Sequence, residues 1–217
     1  MELINSEIIK IKNRIFPSNT YLIVDNTKKC IIIDPGLDSQ IIADTIDSYT
    51  LTPLAILSTH GHFDHIGGVS FLKNKYKIPF YIHYEEIKNL KMANFLLKLS
   101  KLNIIIDLPT PDFLICNNKE VISIENFEFS IYKYPGHSCG SCIIQYKQYL
   151  FTGDIIYKNG LGINNSYGED TIQLKSSLID IINKFDDNCV IYPGHGSFDL
   201  LKNIKKSNKE LASFIYH

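Results

Sequence analysis

Apolar and polar positions along this chain switch between a two-residue and a 3.6-residue period. Ile8–Lys12, Thr20–Asp25 and Cys30–Asp34 are short runs rich in β-branched residues and predict three strands, the last two joined by the polar turn Asn26-Thr27-Lys28-Lys29. Ser39–Tyr49 places Ile41, Ile42 and Ile46 on one helical face, with Asp38 before it as a residue of capping type. Pro53 opens Leu54–Ser58, a short apolar run that reads as a buried strand. Val69–Tyr76 predicts a helix and Pro79–His83 another strand. Glu85–Leu102 is the longest helical pattern. Ile87, Leu90, Phe95, Leu97 and Leu99 supply its apolar side, and Lys88, Lys91, Lys98 and Lys101 its solvated side.

Leu108-Pro109-Thr110-Pro111 then breaks the chain. Beyond it the strand period returns. Val121–Ile124 with Phe127–Tyr134, and Cys142–Tyr146 with Tyr149–Phe151, predict two hairpins. Thr171–Phe185 predicts an amphipathic helix, Cys189–Tyr192 a last strand, and Asp199 to Phe214 a closing helix. Each half is strands first with helices interleaved, which predicts two sheets packed face to face with helices outside both. The expectation is one domain over 1–217 made of two halves that meet near 108–112.

Composition narrows the function. With 217 residues, 45% of them hydrophobic, the chain can bury a substantial core. A net charge of −1 gives no electrostatic footprint for nucleic acid, and Arg14 is the only arginine, so lysine must do any anion recognition. No apolar run reaches the ~20 residues that span a bilayer. The five cysteines are odd in number and scattered, which argues against a disulfide framework and for a reducing, cytoplasmic setting.

The chemistry concentrates in Thr59-His60-Gly61-His62-Phe63-Asp64-His65-Ile66-Gly67-Gly68, on the predicted turn between a strand and a helix. Neutral imidazole and carboxylate suit zinc, iron or manganese. His60 and His62, two apart, can point to one side of an extended turn, while Asp64 and His65 fall further round, so one turn can serve two neighbouring metals. Three more predicted strand ends carry residues of ligand type beside glycine: His137 in Pro135-Gly136-His137-Ser138, Asp154 in Phe151-Thr152-Gly153-Asp154, and His195 in Pro193-Gly194-His195-Gly196. His83 and His217 have no such context.

These residues, with Asp34 in Ile33-Asp34-Pro35-Gly36, resemble the metallo-β-lactamase superfamily from about Thr20 to Gly196, and within it the short glyoxalase II-like hydrolases. The resemblance implies an αββα sandwich of two mixed β-sheets with helices on both outer faces. It implies that His60, His62 and His137 hold one metal, that Asp64, His65 and His195 hold a second, and that Asp154 bridges both, with Asp34 orienting the cluster. It implies two divalent ions, zinc first with iron or manganese as alternatives. The implied reaction is hydrolysis of a small-molecule thioester, or of an ester or lactone, with Asp64 and Asp154 as the catalytic carboxylates. A mononuclear iron persulfide dioxygenase is the reading from another class.

The loop after Asp154 departs from glyoxalase II, since Ile163 and Asn165 stand where that enzyme grips glutathione. Lys158, Asn164 and Tyr167 are the candidate substitutes. Cys139 and Cys142 form Cys-Gly-Ser-Cys and are expected to serve as small packing residues.

Overall fold

A computed structural model describes residues 2–3, 7–163 and 168–216. The chain divides into two compact units, Met1–Ile115 and Cys116–His217.

In the first unit β1 (Glu2–Leu3), β2 (Ile8–Lys12), β3 (Asn19–Val24) and β4 (Lys29–Ile33) form an antiparallel meander. Helix α1 (Ser39–Ser48) then crosses to β5 (Thr52–Leu57), which pairs parallel to β4. The short α2 (Phe63–Ile66) and α3 (Val69–Tyr76) lead to β6 (Phe80–His83). A 3-10 turn over Tyr84–Glu86, α4 (Ile87–Leu99) and β7 (Phe113–Ile115) complete a seven-stranded sheet in sequence order. Ile32, Ile56 and Phe80 of the sheet pack with Ile42, Ile46, Leu72 and Leu90 of the helices. The alternate residues Ile31, Ile33, Ala55 and Leu57 are buried as well, so β4 and β5 read as unbroken apolar runs rather than alternating ones.

The second unit begins with a meander of β8 (Lys119–Ile124), β9 (Phe127–Lys133), β10 (Cys142–Tyr146) and β11 (Tyr149–Gly153). Helix α5 (Thr171–Lys184) crosses to β12 (Val190–Pro193), parallel to β11. The short β13 (Asp199–Leu200) and helices α6 (Leu201–Ser207) and α7 (Lys209–Tyr216) follow, giving a six-stranded sheet. Ile143, Leu150 and Ile191 pack with Leu174, Leu178, Ile181, Leu201 and Ile204.

Four local expectations change. The closing helix is two helices, and Asp199–Leu200 is an edge strand against β12. Asn208 divides the helices: it is 1% exposed, and its side chain binds the carbonyls of Tyr157 and Gly160, a use that competes with helix continuation. The Glu85–Leu102 pattern is a 3-10 turn followed by a shorter helix, with Phe95 and Leu99 exposed. β7 was not visible in the pattern because three residues are too few to establish a period. Asp38 precedes α1 but does not cap it; its carboxylate accepts from the amides of Arg14 and Ile15. Among the described residues no helix is long and apolar enough to cross a membrane.

Candidate metal centre

The candidate residues lie at the C-terminal ends of strands. Asp34 follows β4, the His60–His65 turn follows β5, Asp154 follows β11 and His195 follows β12. In open parallel arrangements this is where ligands bind, because the crossovers leave crevices there.

In the first unit Asp34 organises the turn. It adopts φ 50, a left-handed conformation that aspartate tolerates better than most side chains, even ahead of Pro35. Its Oδ1 accepts from the Thr59 amide at 2.7 Å. Its Oδ2 accepts from the Thr59 hydroxyl at 2.7 Å and from His65 Nδ1 at 3.1 Å. Because Thr59 gives its only hydroxyl proton to Asp34, the 3.1 Å contact to His60 makes His60 Nδ1–H the donor and Thr59 Oγ1 the acceptor. Both rings thus carry their proton on Nδ1, and each Nε2 keeps a lone pair for a metal. The network assigns these tautomers.

His62 opens the short helix that carries Asp64 and His65, so those two residues sit on a helical turn rather than an extended one. Asp64 Oδ2 lies 3.4 Å from His65 Nε2. Asp34, His60 and His65 each offer an atom within 4.8 Å of the others. Asp34 is nevertheless a poor ligand there, since three N–H and O–H donors already occupy its oxygens.

The second unit repeats the tautomer logic. His137 Nδ1 donates to the Gly162 carbonyl at 2.8 Å, which leaves Nε2 as the ligand atom. Asp154 Oδ2 lies 3.8 Å from His137 Nε2 and 3.2 Å from His195 Nε2. One carboxylate oxygen therefore faces two ring nitrogens. Glycine is required at 162, where a Cβ would fall 1.6 Å from the Asp154 carbonyl oxygen. Asp154, His137 and His65 are all buried, and His195 is partly exposed. The donor set of imidazole nitrogen and carboxylate oxygen, with tautomers fixed by hydrogen bonds, fits borderline divalent metals.

A model of the metallo-β-lactamase superfamily matches residues 13–195. The chain belongs to the metallo-β-lactamase superfamily. A hydroxyacylglutathione hydrolase of Haemophilus influenzae is 31% identical over 213 residues, covering 96% of this chain and 99% of the relative. The solved structure of BLEG-1, a B3 metallo-β-lactamase, is similar with a TM-score of 0.87 at 30% identity, covering 97% of this chain and 100% of that one. TTHA1623, solved in a di-iron-bound form, is similar with a TM-score of 0.83 at 25% identity, covering 93% and 98%. The expected metallo-β-lactamase fold class is therefore the one found, and the chain is a metal-dependent hydrolase of this superfamily.

Several positioning residues escaped the sequence reading. Glu86 is fully buried, and its Oε2 accepts from the Gly61 amide at 2.7 Å and from Asn89 Nδ2 at 2.8 Å. It holds the turn at Gly61, between His60 and His62. Asn13 Nδ2 donates to Ser18 and Thr20. The Ser18 hydroxyl in turn donates to the Asp64 carbonyl and Thr20 to the Asp34 carbonyl, each at 2.8 Å. Nothing local in the sequence marks these residues, because the bonds that tie them to the site, Glu86 to Gly61, Ser18 to Asp64 and Thr20 to Asp34, join distant parts of the chain.

Of the substrate candidates, Lys158 pairs with Asp199 at 3.0 Å. Asn164 and Tyr167 lie outside the described residues. The packing role expected of the two cysteines holds for Cys142, which is buried, but not for Cys139, which is exposed with its sulfur 3.8 Å from the Gly168 carbonyl.

Proposed function

We propose that this superfamily member is a dinuclear hydrolase of a small-molecule thioester. His60, His62 and His137 would hold one cation, Asp64, His65 and His195 the other, and Asp154 would serve both. Zinc is the first choice, with iron the alternative suggested by the di-iron-bound relative. The observation that carries this reading is the fixing of three rings: His60, His65 and His137 each commit Nδ1–H to an acceptor and turn Nε2 to the other side. A ring that served only as core packing would not need this direction repeated three times.

Bound divalent cations supply a water nucleophile at neutral pH and polarise the attacked carbonyl. The chain's own part is orientation and proton handling. Asp154 Oδ2 faces His137 and His195, and Asp34 keeps the His65 ring from turning. Asp64, a carboxylate in the same turn, would be placed to receive a proton from the nucleophile that the cations supply. A thiolate leaves without a strong acid.

The test is metal analysis of purified protein together with turnover of S-lactoylglutathione, acyl-CoA thioesters, lactones, a β-lactam and a persulfide with oxygen uptake. About two transition ions per chain and thioester cleavage are expected. One ion per chain with oxygen uptake, or cleavage of the β-lactam alone, would overturn the reading.

A further inference from the structure

Within the second unit a cavity of about 390 Å³ opens beside His195, lined by Tyr157, Lys158, Asn159, Gly160, Gly196 and Ser197 in addition to that histidine. Its wall is a fixed turn. The Tyr157 amide donates to the Gly160 carbonyl at 3.0 Å, and the buried Asn208 side chain donates to the carbonyls of both residues. The Tyr157 ring stands edge-on to His195 at 5.7 Å. A preformed hollow touching a candidate ligand is where the non-reacting end of a substrate belongs.

Its charge is the informative property. Lys158 is the one cation among the lining residues, and its ammonium lies 3.0 Å from Asp199 Oδ2. Asp199 is held in place by two further bonds to Oδ1, from the Leu200 amide at 2.8 Å and from Asn203 at 2.7 Å. Burial works to raise its carboxyl, but the bonds from Asn203, Lys158 and Leu200 outweigh it and hold the group below the usual carboxylate range. A second carboxylate stands behind the wall. Glu210 Oε2 accepts from the Leu161 amide at 3.1 Å and lies 3.0 Å from where a Cβ on Gly160 would sit. One cation is thus set against two carboxylates.

We infer that this cavity receives the carrier end of the substrate and selects a carrier without net negative charge, since Asp199 cancels Lys158 and Glu210 stands behind the same 157–160 turn. The inference rests on the hydrolase reading above and narrows it: an amide-bearing, uncharged thiol carrier fits, and a carrier with two carboxylates is disfavoured.

The experiment uses blocked carriers, so it does not depend on turnover. Binding of S-methylglutathione and of uncharged S-methyl-N-acetylcysteamine is measured by calorimetry on the metal-loaded protein, on Asp199→Asn and on Lys158→Ala. Asp199→Asn keeps the two Oδ1 acceptor bonds and releases the lysine. S-methylglutathione should bind the Asn variant about two- to fivefold more tightly than the wild type, the size of an exposed charge interaction, and the gain should vanish at high salt. The neutral probe should be unaffected, and Lys158→Ala, which leaves Asp199 uncompensated, should weaken binding of S-methylglutathione by a similar two- to fivefold. If Asp199→Asn brings no gain, or if the wild type prefers S-methylglutathione to the neutral probe and loses it in Lys158→Ala, the inference fails. Failure to cleave any thioester would instead remove the thioester reading above and leave this binding comparison intact.

Discussion

The two units follow the same path and use the same position differently. In each, an antiparallel meander ends in a strand whose successor, reached through a helix, lies parallel beside it: β4–α1–β5 in the first unit, β11–α5–β12 in the second. In each, an aspartate follows the first strand of that pair and a histidine follows the second. Yet Asp34 gives its oxygens to Thr59 and to Nδ1 of His65, whereas Asp154 turns Oδ2 to Nε2 of His137 and His195. A carboxylate that meets the Nδ1–H side of an imidazole orients it, and one that meets the Nε2 side shares whatever that nitrogen binds. The same topological slot therefore yields a positioning group in one unit and a candidate ligand in the other.

The sharpest way to break this comparison is to remove both aspartates in turn. Asp154→Ala should lower the metal content and cut turnover by more than the ~100-fold typical of losing an outer hydrogen-bond partner. Asp34→Ala should stay within that ~10–100-fold range in metal affinity. It should also lower the unfolding free energy by about 1–3 kcal/mol through the unpaired Thr59 amide, read by denaturant titration. Equal effects from the two would refute the division of roles.

Glu86 tests whether the first unit needs a second buried carboxylate or merely a second acceptor. Glu86→Gln keeps an oxygen for the Gly61 amide and should retain most of the metal. Glu86→Ala strands that amide and should destabilise by about 1–3 kcal/mol, with a changed visible spectrum in the cobalt-substituted protein.

The smallest expected effect concerns the crossover helices. In α5 the Asp170 carboxylate accepts from the amides of Ile172 and Gln173, whereas α1 has no side-chain cap. The Gln173 amide and side chain, with the Ile172 amide, outweigh desolvation and hold the Asp170 carboxyl below its usual range. A depressed folded value means that its contribution is fully present above the unfolded value near ~3.9 and is lost as pH falls through the folded one. Asp170→Ala should therefore lower the melting temperature slightly at pH 7 and be indistinguishable from wild type in strong acid. Asp38→Ala should show no such helix-cap signature.

Much of this was legible in the residues. β4 and β5 stand out because burial on both faces demands apolar runs, β9 because Glu128 and Ser130 alternate with buried Phe127, Phe129 and Ile131, and the hairpin turns fall where polar pairs interrupt the strands. The histidine spacing after β5 named four candidate ligands because a metal needs imidazole and carboxylate close together, and a single turn provides them. Glu86, Asn13 and Gly162 were not legible. Glu86 acts on Gly61 and Gly162 on His137, each 25 residues away, and Asn13 reaches the site only through Ser18 and Thr20, whose own partners Asp64 and Asp34 are distant.

By itself the sequence determined which side chains are chemically able to bind metal, and it determined the order of strands and helices that carries them. Those properties are local, set by residue type and by periods of two or 3.6. The tertiary structure alone decided which nitrogen of each ring is left bare, that Asp34 orients while Asp154 faces the ring nitrogens, and that Lys158 is cancelled by Asp199. Direction and charge balance depend on atoms brought together from distant parts of the chain, and no local pattern encodes where those partners will be.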